Sequence, residues 1–483
     1  MNRLMTTLLL TLFILLAGTN VSAQLTGTKS IPSLDFLTVA AAVTALNTNG
    51  VGAGGVVFNI DAGHTEQLSG PIILTATGTL ANPIEFKKFG IGANPKLTSH
   101  AGTSTTLDGM FIFRGSDYVT IDGLDLEENA SNTTTTTTME WGYAFVKQNA
   151  TAPFNGCQNN VIKNCKINLS TAINGNTYAI YMGNHVFNAT TALTLTAVGD
   201  ANSFNKFFSN TITAYNGFRL AGFAAPSPYT LYDQNNEIGV DGANTILNHG
   251  GGSVAAHGGL WIAGQNNLYF KNNSINGGSG TTAAHNGITL TASINSNLYI
   301  ENNTIDITSN GTTTLVYGIQ IMTGLTTGTT NTVLIKNNTI RINRALATSG
   351  ATQFINSGNN YPFQLIIEDN DLGGTGSSLS GTGIIYGFFN GSSVVNSIFR
   401  NNTIRNITRA STSSTSMFYA ISNTASNSAS PSNQIYGNII YNLTGMGGSG
   451  AVGGINTSTS SSPTEIYNNK IYNLTSATAT GPV

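Results

Sequence analysis

Charged residues are scarce in this sequence of 483 residues. They make up 8% of it, and 19 Lys and Arg against 21 Asp and Glu leave a formal net charge of −2. An ordinary soluble domain carries about 25% charged residues. Because hydrophobic residues reach 40%, disorder driven by charge is excluded. The absence of a basic surplus excludes a charge-driven nucleic-acid binder, and the composition also argues against a helical bundle or a coiled coil.

Cysteine is nearly absent, whereas glycine and asparagine are abundant. Cys157 and Cys165 are the two cysteines, so a disulfide framework is excluded. One disulfide between Cys157 and Cys165 could form in an oxidising compartment. The alternative is that Cys165 is a small buried thiol. The sequence contains 55 Gly and 60 Asn, which indicates an all-β protein with many turns.

The amino terminus has the pattern of a secretory signal peptide over residues 1–23. Arg3 supplies the positive charge, residues 8–17 are apolar, and residues 21–23 (VSA) form a small-residue cleavage site. No other segment is long and apolar enough to span a membrane. The sequence therefore predicts an exported protein that is secreted or lies on the cell surface, with no membrane span.

A motif recurs through most of the chain: alternating apolar residues, then Asn-Asn-x-Ile. The clearest copies are residues 298–305 (LYIENNTI), 333–340 (VLIKNNTI) and 397–404 (SIFRNNTI). Ten copies recur at a mean spacing of about 34 residues, which is typical of a solenoid repeat. Their final apolar residues are Ile167, Ile212, Ile238, Ile275, Ile305, Ile340, Leu372, Ile404, Ile440 and Ile471.

Two columns of the motif have a structural interpretation. The residue five positions before the final Ile is apolar in every copy except one, where it is Asp233, and period-2 alternation turns this column inward. The column two positions before the Ile is Asn from Asn210 through Asn236 to Asn469, with Cys165 in the first copy. Asn tolerates the left-handed conformation of a sharp bend, and stacked amides can form a hydrogen-bonded ladder. Cys165 is predicted to sit buried at the top of it.

A second strand follows in each repeat, as in residues 178–182, 217–221 and 259–263. With its Asn ladder, the chain resembles the right-handed parallel β-helix proteins of the pectate-lyase-like superfamily, over about residues 55–475. The resemblance implies an all-β fold, a single-stranded right-handed parallel β-helix solenoid. The opening is similar to exported bacterial β-helix proteins of the Bacteroidetes type. In those proteins a short helix, here at residues 37–46, caps the open core.

The predicted organisation is therefore a signal peptide (1–23), an amino-terminal capping segment (24–54) and a β-helix (55–483). The last copy ends 12 residues before the final residue, and no carboxy-terminal cap is visible in the sequence. The chain is predicted to be a monomer, and whether it is a fragment of a longer protein stays open.

Side chains that face outward at equivalent positions of successive coils are the candidates for binding or catalysis. Four residues before the Ile, the charges alternate in sign: Lys271, Glu301, Lys336, Glu368 and Arg400. Strands stack about 4.8 Å apart, so this column is interpreted as a structural ladder that avoids contact between like charges. Aromatic residues stand in two other columns. One contains Tyr232, Tyr269 and Tyr299, and the other contains Tyr181, Arg219 and Trp261. Both are candidate platforms for sugar rings, or surfaces covered by the protein's own loops.

Two groups are candidate metal ligands. His257 and His285 are expected to stack in adjacent coils, where paired imidazoles could bind a transition metal. Glu368, Asp369 and Asp371 form an acidic cluster that could hold Ca²⁺, as lyases of the resembled superfamily do. Local surface packing and solvated turn charge are the alternatives. No other cofactor is predicted.

The resemblance covers the fold and not the catalytic motifs. A glycosidase needs two positioned carboxylates, and the paired aspartates of related polygalacturonases are absent here. An Arg or Lys base beside a calcium site, as in pectate lyases, is also not found. The sequence therefore favours a non-catalytic secreted or surface protein that binds a polysaccharide or cell-surface glycan, like an adhesin or scaffold. The alternative is a polysaccharide lyase or glycoside hydrolase with an unrecognised active site.

Overall fold

A computed structural model describes residues 23–278, 280–323, 328–358, 362–391, 394–424, 432–446, 450–457 and 463–476. The predicted signal peptide lies outside these residues except for Ala23. Within the described ranges, no helix has the length and apolar character needed to cross a membrane. The chain forms an all-β parallel solenoid of about 13 coils, and each complete coil contributes strands to three long sheets in the order A, B, C.

Sheets A, B and C run along the solenoid, and their strands pair in parallel with those of the coils before and after. Sheet A contains the strands Leu25–Ile31, Val51–Asp61, Ile84–Phe89, Val119–Asp122, Val161–Lys163, Lys206–Phe208, Glu237–Ile238, Leu268–Lys271, Leu298–Glu301, Thr332–Lys336, Gln364–Glu368, Asn396–Arg400, Ser432–Tyr436 and Thr464–Tyr467. Sheet B contains Thr65–Gln67, Lys96–Thr98, Asp125–Glu127, Lys166–Asn168, Thr211–Thr213, Thr245–His249, Ser274–Gly277, Thr304–Thr308, Thr339–Asn343, Asp371–Leu372, Ser377–Leu379, Thr403–Arg409, Ile439–Gly445 and Lys470–Ser476. Sheet C contains Ile72–Leu74, Gly109–Arg114, Trp141–Lys147, Tyr178–Val186, Asn216–Ala221, Ala256–Ala263, His285–Thr291, Val316–Met322, Thr352–Ser357, Ile385–Asn390, Phe418–Asn423 and Val452–Thr457. A small parallel pair, Asp233–Gln234 with Gln265–Asn266, lies at the corner between sheets C and A.

One short helix, Val39–Asn49, lies before the second strand of sheet A, close to its predicted place. The Thr38 hydroxyl accepts the backbone N–H of Ala41 at 3.0 Å and caps the helix. The Glu66 carboxylate from the first coil accepts the N–H of Val39 at 2.8 Å, where the helix dipole favours negative charge. The helix buries Val39, Ala42, Val43 and Leu46 in the core. The helix and the first coil are thus joined by both apolar packing and charge.

The predicted inward columns form the core. Ile300 pairs with Ile335 of the next coil in sheet A, and Ile305 pairs with Ile340 in sheet B. All four side chains are fully buried. One copy of the motif was placed wrongly, because Ile238 pairs with Phe207 and Phe270 in sheet A instead of ending a strand in sheet B.

Ile246 occupies the place that the sequence analysis gave to Ile238. It pairs with Ile212 and Ile275 in sheet B. Residues 239–244 lie between the two strands of this coil, so the bend is longer here and the fixed spacing of the motif fails. The misplacement also explains Asp233, which does not belong to the inward apolar column.

The asparagine ladder is the main polar feature of the interior. It runs through Cys165, Asn210, Asn244, Asn273, Asn303, Asn338, Asn370, Asn402, Asn438 and Asn469. In a typical rung, the Asn303 side-chain amide donates to Asn338 Oδ1 at 3.0 Å and to the Phe270 carbonyl at 3.0 Å. Asn338 Oδ1 also accepts the Asn303 backbone N–H at 3.0 Å. Each buried amide is therefore satisfied by neighbouring coils. The ladder and the place of Cys165 at its top are confirmed, with Asn244 in place of Asn236.

Two adjacent residues in the bend between sheets A and B have different structural roles. The left-handed backbone was expected at the ladder Asn, and this expectation is wrong. It lies one residue earlier, as at Asn302 (φ 58°) and Asn337 (φ 53°). The first residue turns the chain and the second carries the amide ladder. The turning positions are Asn164, Ser209, Asn272, Asn302, Asn337, Asp369, Asn401, Gly437 and Asn468.

A second polar ladder lies at the corner between sheets C and A. The backbone N–H of Cys157 donates to Asn202 Oδ1 at 2.9 Å, and that of Asn202 donates to Asp233 Oδ1 at 2.8 Å. Gln265 Nε2 continues it to Asp233 Oδ2 at 3.0 Å. Both cysteines are free, buried thiols, each at the head of a ladder. Burial raises the pKa of both thiols to about 12, so neither is a reactive thiolate.

The expected stacking of His257 on His285 does not occur. His285 pairs with Ala256, and His257 pairs with Asn286, because the register shifts between His257 and Leu260. A shift of one residue turns a side chain to the other face of a strand. His257 lies toward the outside, where its Nδ1 is 3.1 Å from the Thr289 hydroxyl.

His285 instead meets His249 inside the solenoid. His285 Nε2 lies 3.1 Å from His249 Nδ1, and both imidazoles are fully buried. Burial lowers the pKa of His249 well below its usual range and that of His285 to about 3, so this pair is neutral at neutral pH. Among the described residues, no group of three or more His, Cys, Asp or Glu side chains could hold a metal ion.

We expect Asn303→Ala to lower the stability of the solenoid by roughly 2–4 kcal/mol, because it leaves buried donors and acceptors of Asn273 and Asn338 unsatisfied. The matched control is Asn302→Gly at the exposed left-handed position, which should change stability by less than about 0.5 kcal/mol. Urea denaturation midpoints measure both. Equal midpoints for the two variants would contradict the assignment of the turn to Asn302 and of the ladder hydrogen bonds to Asn303.

The buried His249–His285 pair predicts loss of stability in acid. The folded pKa values are depressed, so below pH 6.5 the unfolded chain binds more protons, and stability falls progressively from there toward pH 3. We expect the double variant His249→Gln/His285→Gln to show a shallower fall in thermal midpoint over this window. His64→Gln, close to a turn of the first coil, is the control. An unchanged acid slope in the double variant would rule out this origin.

Candidate functional site

The outer face of sheet C carries a continuous ladder of aromatic and cationic side chains. Tyr181 pairs with Arg219, and Arg219 pairs with Trp261 in the next coil. Thr289 and Gln320 continue the column, in the predicted order. The intervals between these residues are unequal, so it is the local apolar alternation within each strand that predicts which residues share the outer column.

Arg219 is surrounded by aromatic rings. Its guanidinium carbon lies 4.7 Å from the centroid of Trp261, 5.3 Å from that of Tyr178 and 5.8 Å from that of Tyr181. Nη1 also donates to the Tyr178 hydroxyl at 3.3 Å. Rings that attract the cation from two sides hold the long side chain in one place.

Trp141, which the sequence analysis did not select, completes this group. Its ring stacks on Tyr181 with centroids 4.5 Å apart and planes 11° from parallel. It lies one coil before Tyr178, with which its backbone pairs. The long segment between these strands hides the register, and the only sequence signal is that Trp141 and Trp261 are the two tryptophans of the chain.

A cleft of about 210 Å³ opens beside these rings. Trp141, Tyr178, Tyr181 and Arg219 are among its lining residues. The three rings pack against one another and expose only 2%, 5% and 8% of their surface, so the cleft reaches their edges. Exposed segments from neighbouring coils form the rim. The remaining lining residues are Thr106, Leu107, Asn176, His185 and Thr190. Apolar ring surface beside a few fixed polar groups is a lining that ligand sites share, and this cleft is smaller than the roughly 300–1,000 Å³ of most such sites.

His185 and Tyr181 form a hydrogen-bonded pair inside this cleft. His185 Nδ1 lies 2.9 Å from the Val186 carbonyl, which can only accept, so Nδ1 carries the proton. Nε2 is then the acceptor for the Tyr181 hydroxyl at 2.9 Å. Burial lowers the pKa of His185 and raises that of Tyr181 to about 12, so both are neutral at neutral pH.

The buried carboxyl group of Glu140 holds the rim of the cleft in place through hydrogen bonds. Its Oε2 accepts the backbone N–H of Asp108 at 2.7 Å, and its Oε1 accepts from Asn174 at 2.6 Å. These bonds fix the segments that carry Leu107 and Asn176. Burial raises the pKa of Glu140 to about 8, with a smaller contribution from Asp108. Sequence reasoning missed this residue, because nothing in its surroundings marks it as buried.

The second aromatic column, on the outer face of sheet A, is shorter than predicted. Tyr269 and Tyr299 stack with centroids 4.8 Å apart and planes 7° from parallel, and the Lys271 amine lies 5.0 Å from the Tyr269 centroid. Tyr232 is not part of this column. It is buried, and its hydroxyl accepts the backbone N–H of Ile294 at 3.1 Å. Tyr232 was misplaced because the motif in its coil was misplaced.

The predicted ladder of alternating charges is present on sheet A. Lys271 contacts Glu301 at 3.0 Å, and Glu368 lies between Lys336 at 2.8 Å and Arg400 at 2.5 Å. The other two acids of the proposed calcium cluster are also paired. Asp369 lies 3.6 Å from the Lys336 amine, and Asp371 lies 2.6 Å from Arg405. These carboxylates are neutralised by basic side chains instead of converging on one point.

No protein-family model matches this chain, and no curated protein matches it in sequence. Similar folds occur among solved structures. One is the GH136 lacto-N-biosidase from Eubacterium ramulus, with 11% identity, a TM-score of 0.38, and coverage of 89% of this chain and 64% of that one. This chain therefore spans less than two thirds of the biosidase.

Two further similar structures are a periplasmic alginate epimerase, AlgG, and the Streptococcus pneumoniae surface protein and adhesin PfbA. The epimerase has 11% identity and a TM-score of 0.39, and the match covers 92% of this chain and 84% of that one. The adhesin has 13% identity and a TM-score of 0.38, with 90% and 95% covered. The chain is a β-solenoid protein with distant similarity to these three structures.

Proposed function

We propose that this protein is a secreted or cell-surface β-solenoid that binds a glycan without altering it, acting as a monomer. The binding site is the cleft formed by Trp141, Tyr178, Tyr181 and Arg219. The observation that carries the proposal is this group of aromatic rings beside a cleft of about 210 Å³. Sugar rings offer C–H groups to the faces of aromatic rings and hydroxyls to polar neighbours such as Asn176.

The rigid frame supports binding. The rings lie on strands fixed by the register of sheet C, and the rim is held by Glu140. A preformed site has little ordering entropy to lose on binding. The stacked Tyr269 and Tyr299 on sheet A do not line this cleft, and they serve as the comparison surface.

A glycan array with residues 24–483 tests the proposal, followed by calorimetry on the best ligand. Trp141→Leu removes the indole that stacks on Tyr181, and we expect affinity to fall about tenfold or more. Because Trp141 is buried, the thermal midpoint of the variant is measured alongside its affinity. Trp261→Leu should weaken binding less, since Trp261 acts through Arg219. Tyr299→Leu is the matched control at the other aromatic stack and should bind as the wild type does. Binding to no glycan, or a loss confined to Tyr299→Leu, would refute the proposed site.

Catalysis on the bound glycan is the second candidate, and the Tyr181–His185 hydrogen bond favours it. A neutral imidazole that accepts from a phenol can move a proton at the Tyr181 oxygen. Hydrolysis by a pair of carboxylates is not supported, because no Asp or Glu is among the lining residues. A lyase, which needs proton transfer, therefore fits this cleft better than a hydrolase.

Tyr181→Phe separates the two candidates, because it removes the hydroxyl and keeps the ring. If the protein is a lyase, this variant should bind the glycan with similar affinity but lose at least about a hundredfold in cleavage. Tyr178→Phe is the matched control. Absorbance of unsaturated ends and new reducing ends measure cleavage. No cleavage by the wild type of any glycan that it binds would leave the binding function alone.

A further inference from the structure

The charge of the cleft indicates what kind of sugar it takes. We infer that the ligand carries an anionic group, a carboxylate or a sulfate ester, and that this group pairs with Arg219. The inference rests on the proposed function and adds the charge of the ligand to it. It depends on three features: the missing partner of Arg219, the neutrality of its neighbours and the enclosure of the guanidinium.

Arg219 has no anionic partner within the described ranges. Its Nη1 donates to the neutral Tyr178 hydroxyl at 3.3 Å, and its enclosed Nε has no hydrogen-bond partner. Arginines on the outer faces of sheets A and B differ in this respect, since each contacts a carboxylate. The pairs are Arg341 with Asp306, Arg400 with Glu368, and Arg405 with Asp371. Arg114, Arg344 and Arg409 also contact no carboxylate in the described part of the chain, but they donate to carbonyl or hydroxyl oxygens away from the cleft. Arg219 is the unpaired arginine that lines the cleft.

The groups around the cleft do not cancel this positive charge. No Asp or Glu lines it, and His185 is neutral because burial and the nearby cations Lys147 and Arg219 lower its pKa. Glu140 lies behind the rim, and burial raises its pKa to about 8. Among the residues that line the cleft, Arg219 is therefore the one with a formal charge, and that charge is positive.

The surroundings of Arg219 make this charge effective. Rings of Tyr178, Tyr181 and Trp261 lie within 5.8 Å of the guanidinium carbon, and the Nε atom is enclosed. Coulombic attraction is stronger where water is excluded, and hydrogen bonds between a guanidinium and an anion are stronger than neutral ones. The guanidinium is also held in place before the ligand arrives, which reduces the ordering that binding requires.

Three probes test the inference by calorimetry: an oligogalacturonate, the same oligosaccharide with its carboxyls reduced to alcohols, and a sulfated galactan oligosaccharide. At least one anionic probe should bind, and a preference between them identifies the source of the charge. Arg219→Gln should weaken that binding about tenfold or more, whereas Arg114→Gln, an arginine of the same sheet, should leave it unchanged. The affinity of Arg219→Lys for the anionic probe should lie between that of the wild type and that of Arg219→Gln. The reduced probe should bind more weakly and be insensitive to Arg219→Gln.

The outcomes separate this inference from the proposed function. If a neutral glycan binds as tightly as the anionic probes and loses affinity in Trp141→Leu, the cleft is a glycan site and the inference is wrong. If an anionic probe binds equally well to the wild type and to Arg219→Gln, the inference is also wrong. If no glycan binds at all, the proposed function fails with it. Because the reduced probe removes the charge from the ligand, the test stands even if Arg219→Gln does not fold.

Discussion

The hydrogen bonds of the asparagine ladder fix the register between coils, and the other features depend on that register. Each ladder amide, such as Asn303, bonds both the next amide and a backbone carbonyl of the preceding coil. A coil displaced by one residue would leave these buried groups unsatisfied. Because the register is fixed, equivalent side chains lie directly above one another along every sheet. Like charges at equivalent positions would repel, which is the physical reason that the outer column of sheet A alternates between lysine and glutamate.

The same regularity determines what the sequence can reveal. The column of Tyr181, Arg219 and Trp261 was predicted in the order that the structure has, although coils of unequal length separate these residues. Each of these strands has its own local pattern of alternating apolar residues, so its inward and outward positions could be assigned without counting from the previous coil. Where a coil gains residues, counting fails. Residues 239–244 displaced the assignment of Ile238 and of Tyr232, and the register shift after His257 moved His285 to the interior.

Long-range features of the cleft were beyond sequence reasoning for a related reason. Trp141 and Glu140 lie at the start of a strand that long segments separate from its neighbours, so no spacing connects them to Tyr178 or Asn174. The raised pKa of Glu140 depends on burial, which a single sequence does not display. The sheet that holds the cleft could be predicted, but the cleft itself could not.

The bend between sheets A and B uses one residue to turn the chain and the next to hold the ladder, while the segments that border sheet C vary widely in length. A coil can therefore lengthen next to sheet C without changing a single rung. In evolutionary terms, this separates the inherited frame from the parts that are free to diverge. Insertions at these corners could give related chains new rims, and thus new ligands, around an unchanged interior. The bend between sheets A and B has also gained residues in one coil, at 239–244, and Asn244 still supplies the rung there.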